Sequence, residues 1–378
     1  MSGRSFFGGT AAVLTLSLAT PVQGQFVAGG GVDYLGYSFD EGLGADAAQL
    51  FMVPIAVRIP AGSSLTFDVF GAWAEGRVEQ DNQVFALSGP VDTSVKASYQ
   101  ATPWALLSVS ANLPTGNSAH DGEEAIVASV LSTDLLGFRE TTWGTGGAVT
   151  TSVASATTAG GFGLGIAAAY AVRSEFEPSA DDPTLTYQPG NESRVRVGLD
   201  RNFGTSTLTA GATFVTYTDD KARGRNLFQA GNRLRFDASY AFRAGAGVWS
   251  IYAADLMREN GDLTLDIVDQ NGDFVGDTTV VTAKQNLIVG GLIGTVGIGG
   301  GYVFRPHIDY KYQRREENDG NDAGSGWMVA AGGDIPIRLA GTEFFPKARV
   351  FFGSIKDITG TAISTVGMEF KGTLRFNF

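Results

Sequence analysis

Residues 368–378, Met-Glu-Phe-Lys-Gly-Thr-Leu-Arg-Phe-Asn-Phe, place Met368, Phe370, Leu374, Phe376 and Phe378 on one parity and Glu369, Lys371, Thr373, Arg375 and Asn377 on the other. Strict alternation of this kind is the signature of a strand with two unlike faces, one meeting an apolar medium and one meeting water. A helix would mix the two sets around its circumference. This stretch therefore commits the chain to a sheet with a wet side and a dry side.

The same unit recurs along the chain. Segments of alternating character can be drawn sixteen times between 26–39 and 362–378, with 14 or 12 strands as open alternatives. Their connections alternate in length. Short turns such as Pro60-Ala61-Gly62, Gly204-Thr205 and Ala244-Gly245-Ala246 change places with long polar stretches at 80–89, 114–142, 175–192, 219–231, 259–279 and 316–325. Short turns at one end and long loops at the other are the pattern of an up-and-down transmembrane barrel, and an even strand number leaves both termini on the short-turn side. The mean hydropathy is near zero, too polar for a helical membrane protein yet natural for a wall in which only alternate residues meet lipid. Two charge-free runs, within 141–172 and 285–304, are too rich in glycine to be spanning helices.

The N-terminal residues read as an export signal. Arg4 precedes an apolar stretch from Phe6 to Ala19, then Pro21 and a cleavage position after Gly24. The expected organisation is a signal peptide over 1–24 and one barrel domain over 25–378. Cysteine is absent, which excludes a disulfide framework or a cysteine-linked lipid. Ending on Phe378 after an alternating strand resembles the last strand of bacterial outer-membrane β-barrels, whose terminal aromatic is read by the barrel assembly machinery. The resemblance implies an outer-membrane location, contact with lipid and lipopolysaccharide, and an antiparallel all-β barrel. A soluble β-sandwich would share the alternation, but not the export signal, the terminal aromatic and the loop asymmetry together.

Parity also assigns the faces. Leu234, Phe236, Ala238, Tyr240 and Phe242 are expected toward lipid, and Arg233, Arg235, Asp237, Ser239 and Arg243 toward the lumen. A basic residue on the lipid face would cost about 2–4 kcal/mol at the midplane. Applied along the chain, this places Arg194, Arg196, Arg233, Arg235, Arg243, Lys284, Arg305, Lys311, Lys347, Arg349, Lys371 and Arg375 in the lumen, against Asp237, Asp309 and Glu369. The acidic residues that give the chain its net charge of −12 gather in the long loops. A lumen of one sign concentrates ions of the other, so a passage for anionic solutes is expected. The competing expectation is a cross-strand ion-pair mesh that stiffens the wall.

One long loop departs from the strand pattern. Asp121-Gly122-Glu123-Glu124 opens a segment in which Ile126, Val127, Val130, Leu131 and Leu135 follow helical spacing, with acidic residues where a helix N-terminus favours them. The expectation is a short amphipathic helix continuing toward Phe138 and folding into the barrel mouth as a constriction or lid, or else packing on the rim. Just before it, Ser110-Ala111-Asn112-Leu113-Pro114-Thr115-Gly116 resembles a strand exit found in outer-membrane proteins of aromatic-degradation (phenol meta-) pathways, which are similar to the wider group of fatty-acid-type transporters. That likeness implies passage of small, aromatic or hydrophobic molecules, although the N-terminal plug of the fatty-acid transporters has no counterpart before the strand at Phe26.

Catalytic and cofactor chemistry finds little support. His120 sits beside Asp121, and His307 shares a face with Asp309, but no nucleophile can be placed near either. No phosphate loop or dinucleotide fingerprint occurs in context. Asp269, Asn271 and Asp273 follow the start of a calcium-loop spacing, but Phe274 stands where its turn glycine belongs. No enzyme, cofactor or metal is expected, and an exported acidic chain is a poor nucleic-acid binder. The functional expectation is a passive outer-membrane channel for small solutes, anionic or aromatic. The alternatives are a filled structural or adhesive barrel binding lipopolysaccharide or a partner, and a rim enzyme using His120. Solute, pore radius and any homo-oligomeric state stay open.

Overall fold

The structure, a computed structural model, describes residues 26–40, 44–268, 274–317, 320–339, 341–356 and 360–378. The expected signal peptide and the Asp269–Asp273 segment lie outside the described residues.

Sixteen antiparallel strands close into a barrel. They are β1 (Val27–Phe39), β2 (Ala47–Ala61), β3 (Leu65–Gln80), β4 (Thr93–Thr102), β5 (Ala105–Leu113), β6 (Ala148–Ala159), β7 (Phe162–Arg173) and β8 (Glu192–Phe203). The second half comprises β9 (Ser206–Tyr217), β10 (Arg233–Ala244), β11 (Gly247–Arg258), β12 (Lys284–Gly299), β13 (Tyr302–Glu316), β14 (Asp322–Asp334), β15 (Thr342–Lys356) and β16 (Ala362–Asn377). Each pairs with its sequence neighbours, and β1 closes the ring by pairing with β16 from Val27↔Asn377 to Phe39↔Thr365. Closure satisfies every strand edge, the condition a sheet must meet to cross a bilayer. The protein is an outer-membrane β-barrel, with both chain ends of the ring at the short-turn, periplasmic side.

The outer face is apolar on strand after strand. Ile55, Val109, Ile166, Val197, Phe236, Ile251, Ile308, Phe352 and Phe370 all stand exposed on it. An exposed apolar surface encircling the molecule is a lipid contact rather than a soluble surface. The expected faces of β10, β13 and β16 are the observed ones. Lys284 is a correction: Gln285, not Lys284, points inward, and Lys284 pairs with Glu316 at the outer rim (2.9 Å). At the very end of a strand a charge can sit outside the bilayer, so lipid no longer enforces parity there.

The long connections hold more structure than their polarity suggested. In place of the loop at 80–89, strand Gln83–Pro90 folds back on β3 through a two-residue turn, Asp81-Asn82, whose positive φ angles (51° and 63°) match the primed turn of tight hairpins. In the stretches at 175–192, 219–231 and 259–279, short strands Tyr187–Gln188, Asp220–Ala222, Arg225–Gln229, Asp262–Val268 and Phe274–Val281 join into a second sheet of five strands outside the barrel.

Candidate functional site: an infolded loop and a two-sided lumen

The loop after β5 folds into the barrel, and Asp92, just ahead of β4, holds both of its ends. Its Oδ1 accepts from the Gly116 amide (3.0 Å) and its Oδ2 from the Thr145 amide (2.8 Å), while its own amide donates to the Trp143 carbonyl (2.9 Å). The Pro114-Thr115-Gly116 motif makes the entry turn. Thr115 Oγ1 accepts from the Thr93 amide (2.8 Å), and a Cβ at position 116 would overlap the Trp143 carbonyl, so only glycine fits. The motif is thus the hinge that turns the chain inward.

The helix α1 follows, over Gly122–Leu131. Its start is a capping box: the Glu124 amide donates to Asp121 Oδ1 (2.8 Å), and the Asp121 amide to Glu124 Oε2 (3.3 Å). The helix stops earlier than its apolar spacing suggested. Ser132, Thr133 and Asp134 have side chains that compete for backbone groups, and Ser132 Oγ donates to the Ser129 carbonyl (2.6 Å). Val127 and Leu131 are fully buried against β3, where Gly76 leaves them room beside Trp143. Ile126 and Val130 are half-buried. Leu135 is not on the helix; it lies buried across the lumen against Gly326 of β14.

The tip of the loop is pinned to the far wall. Asp134 accepts from Gln285 Nε2 (2.5 Å) and Arg258 (3.3 Å), the Leu135 carbonyl from Lys311 Nζ (3.3 Å), and the Leu136 carbonyl from the Tyr37 hydroxyl (2.8 Å). Returning, Arg139 lies over the Phe70 ring and 3.6 Å from Asp33, and Trp143 Nε1 donates to the Ala74 carbonyl (2.8 Å). Beneath the loop, the inner face of the neighbouring wall is apolar: Leu50, Met52 and Val78 on one side, Met328, Phe351 and Ile363 on the other, join Val127, Leu131 and Leu135 in one core. The sequence reading missed this core. Its signal was present, since in Leu50-Phe51-Met52-Val53 and Val350-Phe351-Phe352 both parities are apolar, which means that something covers the lumenal face.

The loop therefore packs on the arc from β11 through β16 to β3. The remaining arc, β4–β10, has two parts. On β4–β6 the lumenal positions are mostly small and hydroxylated, including Ser94, Ser98, Ser108, Ser110, Thr150 and Ser152, with Lys96 as the charged group. On β7–β10 the lumenal charges are Arg173, Arg194, Arg196, Arg233, Arg235 and Arg243 against Glu192, Asp200 and Asp237, six basic groups facing three acidic ones.

Many basic side chains expected to set selectivity are in fact paired. Arg196 grips Asp237 with two bonds of 2.8 Å, and Arg235 approaches the same carboxylate at 3.5 Å. Arg349 bridges Asp309 and Glu369, and Lys347 joins Glu369 (3.2 Å). Arg305 meets Asp334, Lys371 meets Asp33 (3.0 Å), and Arg375 meets Glu343 (3.7 Å). Arg233 stacks over Tyr217 (5.3 Å), Arg194 pairs with Glu192 (2.5 Å), and Arg243 is exposed at the periplasmic end. The lumenal acids Asp33, Asp68, Glu192, Asp200, Asp334 and Glu343 add to the three counted from parity alone, so the wall is less one-signed than its basic residues suggest. Phe378 packs its ring on Phe26 (5.4 Å), and its amide donates to the Phe26 carbonyl (3.0 Å).

Among the described residues, each histidine ring is set against a carboxylate. His307 Nε2 lies 2.9 Å from Asp334 rather than on the adjacent Asp309. His120 joins the infolded loop to the next one: its amide donates to the Pro178 carbonyl (3.1 Å) and its carbonyl accepts from Ala180 (3.0 Å). The ring is buried 3.7 Å from Glu124, and burial holds its pKa below the ordinary histidine value. Burial acts the other way on Glu140, whose carboxyl is pushed up to about 7 despite the neighbouring Arg139, with Asp92 adding to the rise. Among the described residues no group of three or more His, Asp or Glu side chains is placed to hold a metal ion.

No family model matches the chain, and no curated protein matches it. Among solved structures it is similar to OmpT, an outer membrane protein of Vibrio cholerae, at 10% identity and a TM-score of 0.41, covering 93% of this chain and 97% of that one. It is similar also to an engineered mutant of the Rh. blastica porin (14% identity, TM-score 0.37, covering 93% and 100%) and to a bacterial polysaccharide outer membrane secretin (10%, 0.45, covering 92% and 98%). At these values the likenesses assign no activity.

Proposed function

We propose that the barrel is a passive outer-membrane channel for small solutes, favouring anionic ones. The carrying observation is the asymmetry of the lumen: the infolded loop packs on β11–β3, while β4–β10 keeps a polar face with an excess of guanidinium groups. A constriction of that kind narrows the passage without an energy source, and a low-dielectric wall focuses the field of its fixed charges on a passing ion. Passage of aromatic solutes rests only on the Pro-Thr-Gly likeness, which the hinge role of that motif accounts for without reference to a solute. A second reading, a closed barrel that binds lipopolysaccharide or a partner, draws on the apolar core under the loop and the five-stranded sheet above it. Single-channel recording of the folded barrel in a planar bilayer separates the two. Stable conductance steps support the channel; a demonstrably folded barrel without steps would overturn it in favour of the second reading.

A further inference from the structure

The lumen holds a cavity of about 290 Å³ at the outer ends of β5–β8, roofed by Thr145, Gly147 and Pro189 from the loops. Its walls have two chemistries. Ser110, Asn112 and Thr150 present hydroxyl and amide groups from β5 and β6, and Arg194 of β8 lines the opposite side. Ala148, Ala169 and Ala171 form the back wall, and their small side chains are what leave the space. Glu192 also lines the cavity, but its carboxylate is shared between Arg173 (2.7 Å) and Arg194 (2.5 Å). The formal charges of these three sum to +1, and the Arg194 side chain, 53% exposed, is the one that stays open to a solute.

From this juxtaposition we propose that the cavity is a binding subsite for a small polyhydroxylated carboxylate, a solute of the sugar-acid type, on the way through the lumen. The hydroxyl groups of such a solute match the donors and acceptors of Ser110, Asn112, Thr145 and Thr150, each of which can act both ways. Its carboxylate meets the planar fork of Arg194, the side chain best suited to that group. Neither half suffices alone: a neutral sugar brings no carboxylate to the Arg194 N–H groups that Glu192 does not take, and a simple carboxylate leaves the hydroxyl wall to water. The volume lies near the lower end of the range of small-ligand pockets, about 300–1,000 Å³, which suits one ring and not a chain of them. The inference rests on the channel reading for its role in transport, but not for binding itself.

The test uses the full-length barrel folded in detergent, with D-glucuronate, D-glucose and acetate as probes in equilibrium dialysis at low salt. Glucuronate is expected to bind roughly tenfold more tightly than either of the others, the scale of one charge-assisted hydrogen bond. Arg194→Gln should bring glucuronate down to the level of glucose, and Ala169→Leu, which fills the cavity, should abolish both. Retention of the heat-modifiable folded band on gels shows that each variant is intact. Glucuronate binding no tighter than glucose or acetate, or unmoved by both substitutions, overturns the proposal. Conductance on the same preparation judges the channel separately: a barrel that binds glucuronate without conducting keeps the subsite and loses the passage, and a conducting barrel indifferent to glucuronate does the reverse.

Discussion

At Asp134 one carboxylate holds the tip of the infolded loop to the far wall. Its side chain is 4% exposed, and it answers the Arg258 guanidinium at 3.3 Å and Gln285 at 2.5 Å. Removing one member of a buried pair leaves the other charge unanswered, typically at a cost of about 3–5 kcal/mol. Asp134→Ala should therefore free the loop tip while the strand ladder stays closed. Faster open-channel flicker and proteolysis within 132–139 are the expected readouts, and a channel as quiet as the parent would show that Lys311 and Tyr37 hold the tip alone. Two titrating groups on the same loop act in opposite directions. Glu140 has a folded-state pKa of about 7, above its ordinary 4.5, so its contribution is complete below about 4.5 and is lost as pH rises through 7. His120 is shifted below its ordinary 6.5, so its contribution is present above 6.5 and is lost as pH falls through its lowered value. Flicker should thus increase toward about pH 8 through Glu140 and again under acid conditions through His120. Glu140→Gln should remove the alkaline limb alone, and His120→Asn the acid limb alone; one substitution removing both would refute the separate assignments.

Among the elements, α1 and its loop connect the sequence pattern to the shape of the lumen. The Asp121–Glu124 capping box is worth about 1 kcal/mol in such helices, so Asp121→Ala should loosen the loop less than Asp134→Ala does. Deleting residues 119–137 should raise conductance severalfold, because it removes Val127, Leu131 and Leu135 together with the crossing at Asp134. Unchanged conductance would mean that the solute path does not pass the loop. How far these elements were legible follows from what enforces their pattern. Lipid enforces parity, so the faces of β10, β13 and β16 could be read directly, and the rule failed at Lys284, where the strand has already left the bilayer. The capping box was visible as acidic residues ahead of an apolar period, whereas the end of α1 depended on Ser132-Thr133-Asp134 outweighing that period. Asp92 carried no pattern at all: its role exists only once β4 and the two ends of the loop are side by side. The five-stranded outer sheet was hidden for a related reason: two of its pairings are local hairpins set in polar loops, and the other two, Lys221↔Gln188 and Phe228↔Leu263, join connections far apart in sequence.

For the whole molecule, the question is which of two opposed charge distributions an ion experiences. The chain carries a net charge of −12, with acids concentrated in the outer loops, yet the lumenal arc β7–β10 holds six basic groups against three acidic ones. Charges on exposed loops are screened within about 8–10 Å at physiological salt, whereas charges facing a narrow lumen between apolar walls are screened far less. The lumen should therefore win, and the reversal potential under a salt gradient should favour anions. Arg194, Arg233 and Arg235 lie on the arc the loop leaves uncovered, so replacing all three with Gln should move the reversal potential toward cations. Arg349→Gln removes the same kind of charge from a different place: it bridges Asp309 and Glu369 on the arc occupied by the loop. Its loss should lower the thermal stability of the barrel with a smaller effect on selectivity. The contrast between the two variants is the informative quantity. If the triple variant keeps the parent's reversal potential while Arg349→Gln shifts it, ions pass on the side of the lumen assigned here to packing. If neither moves it and the parent favours cations, the acidic mouth governs entry and the arginines of β8–β10 serve the wall alone.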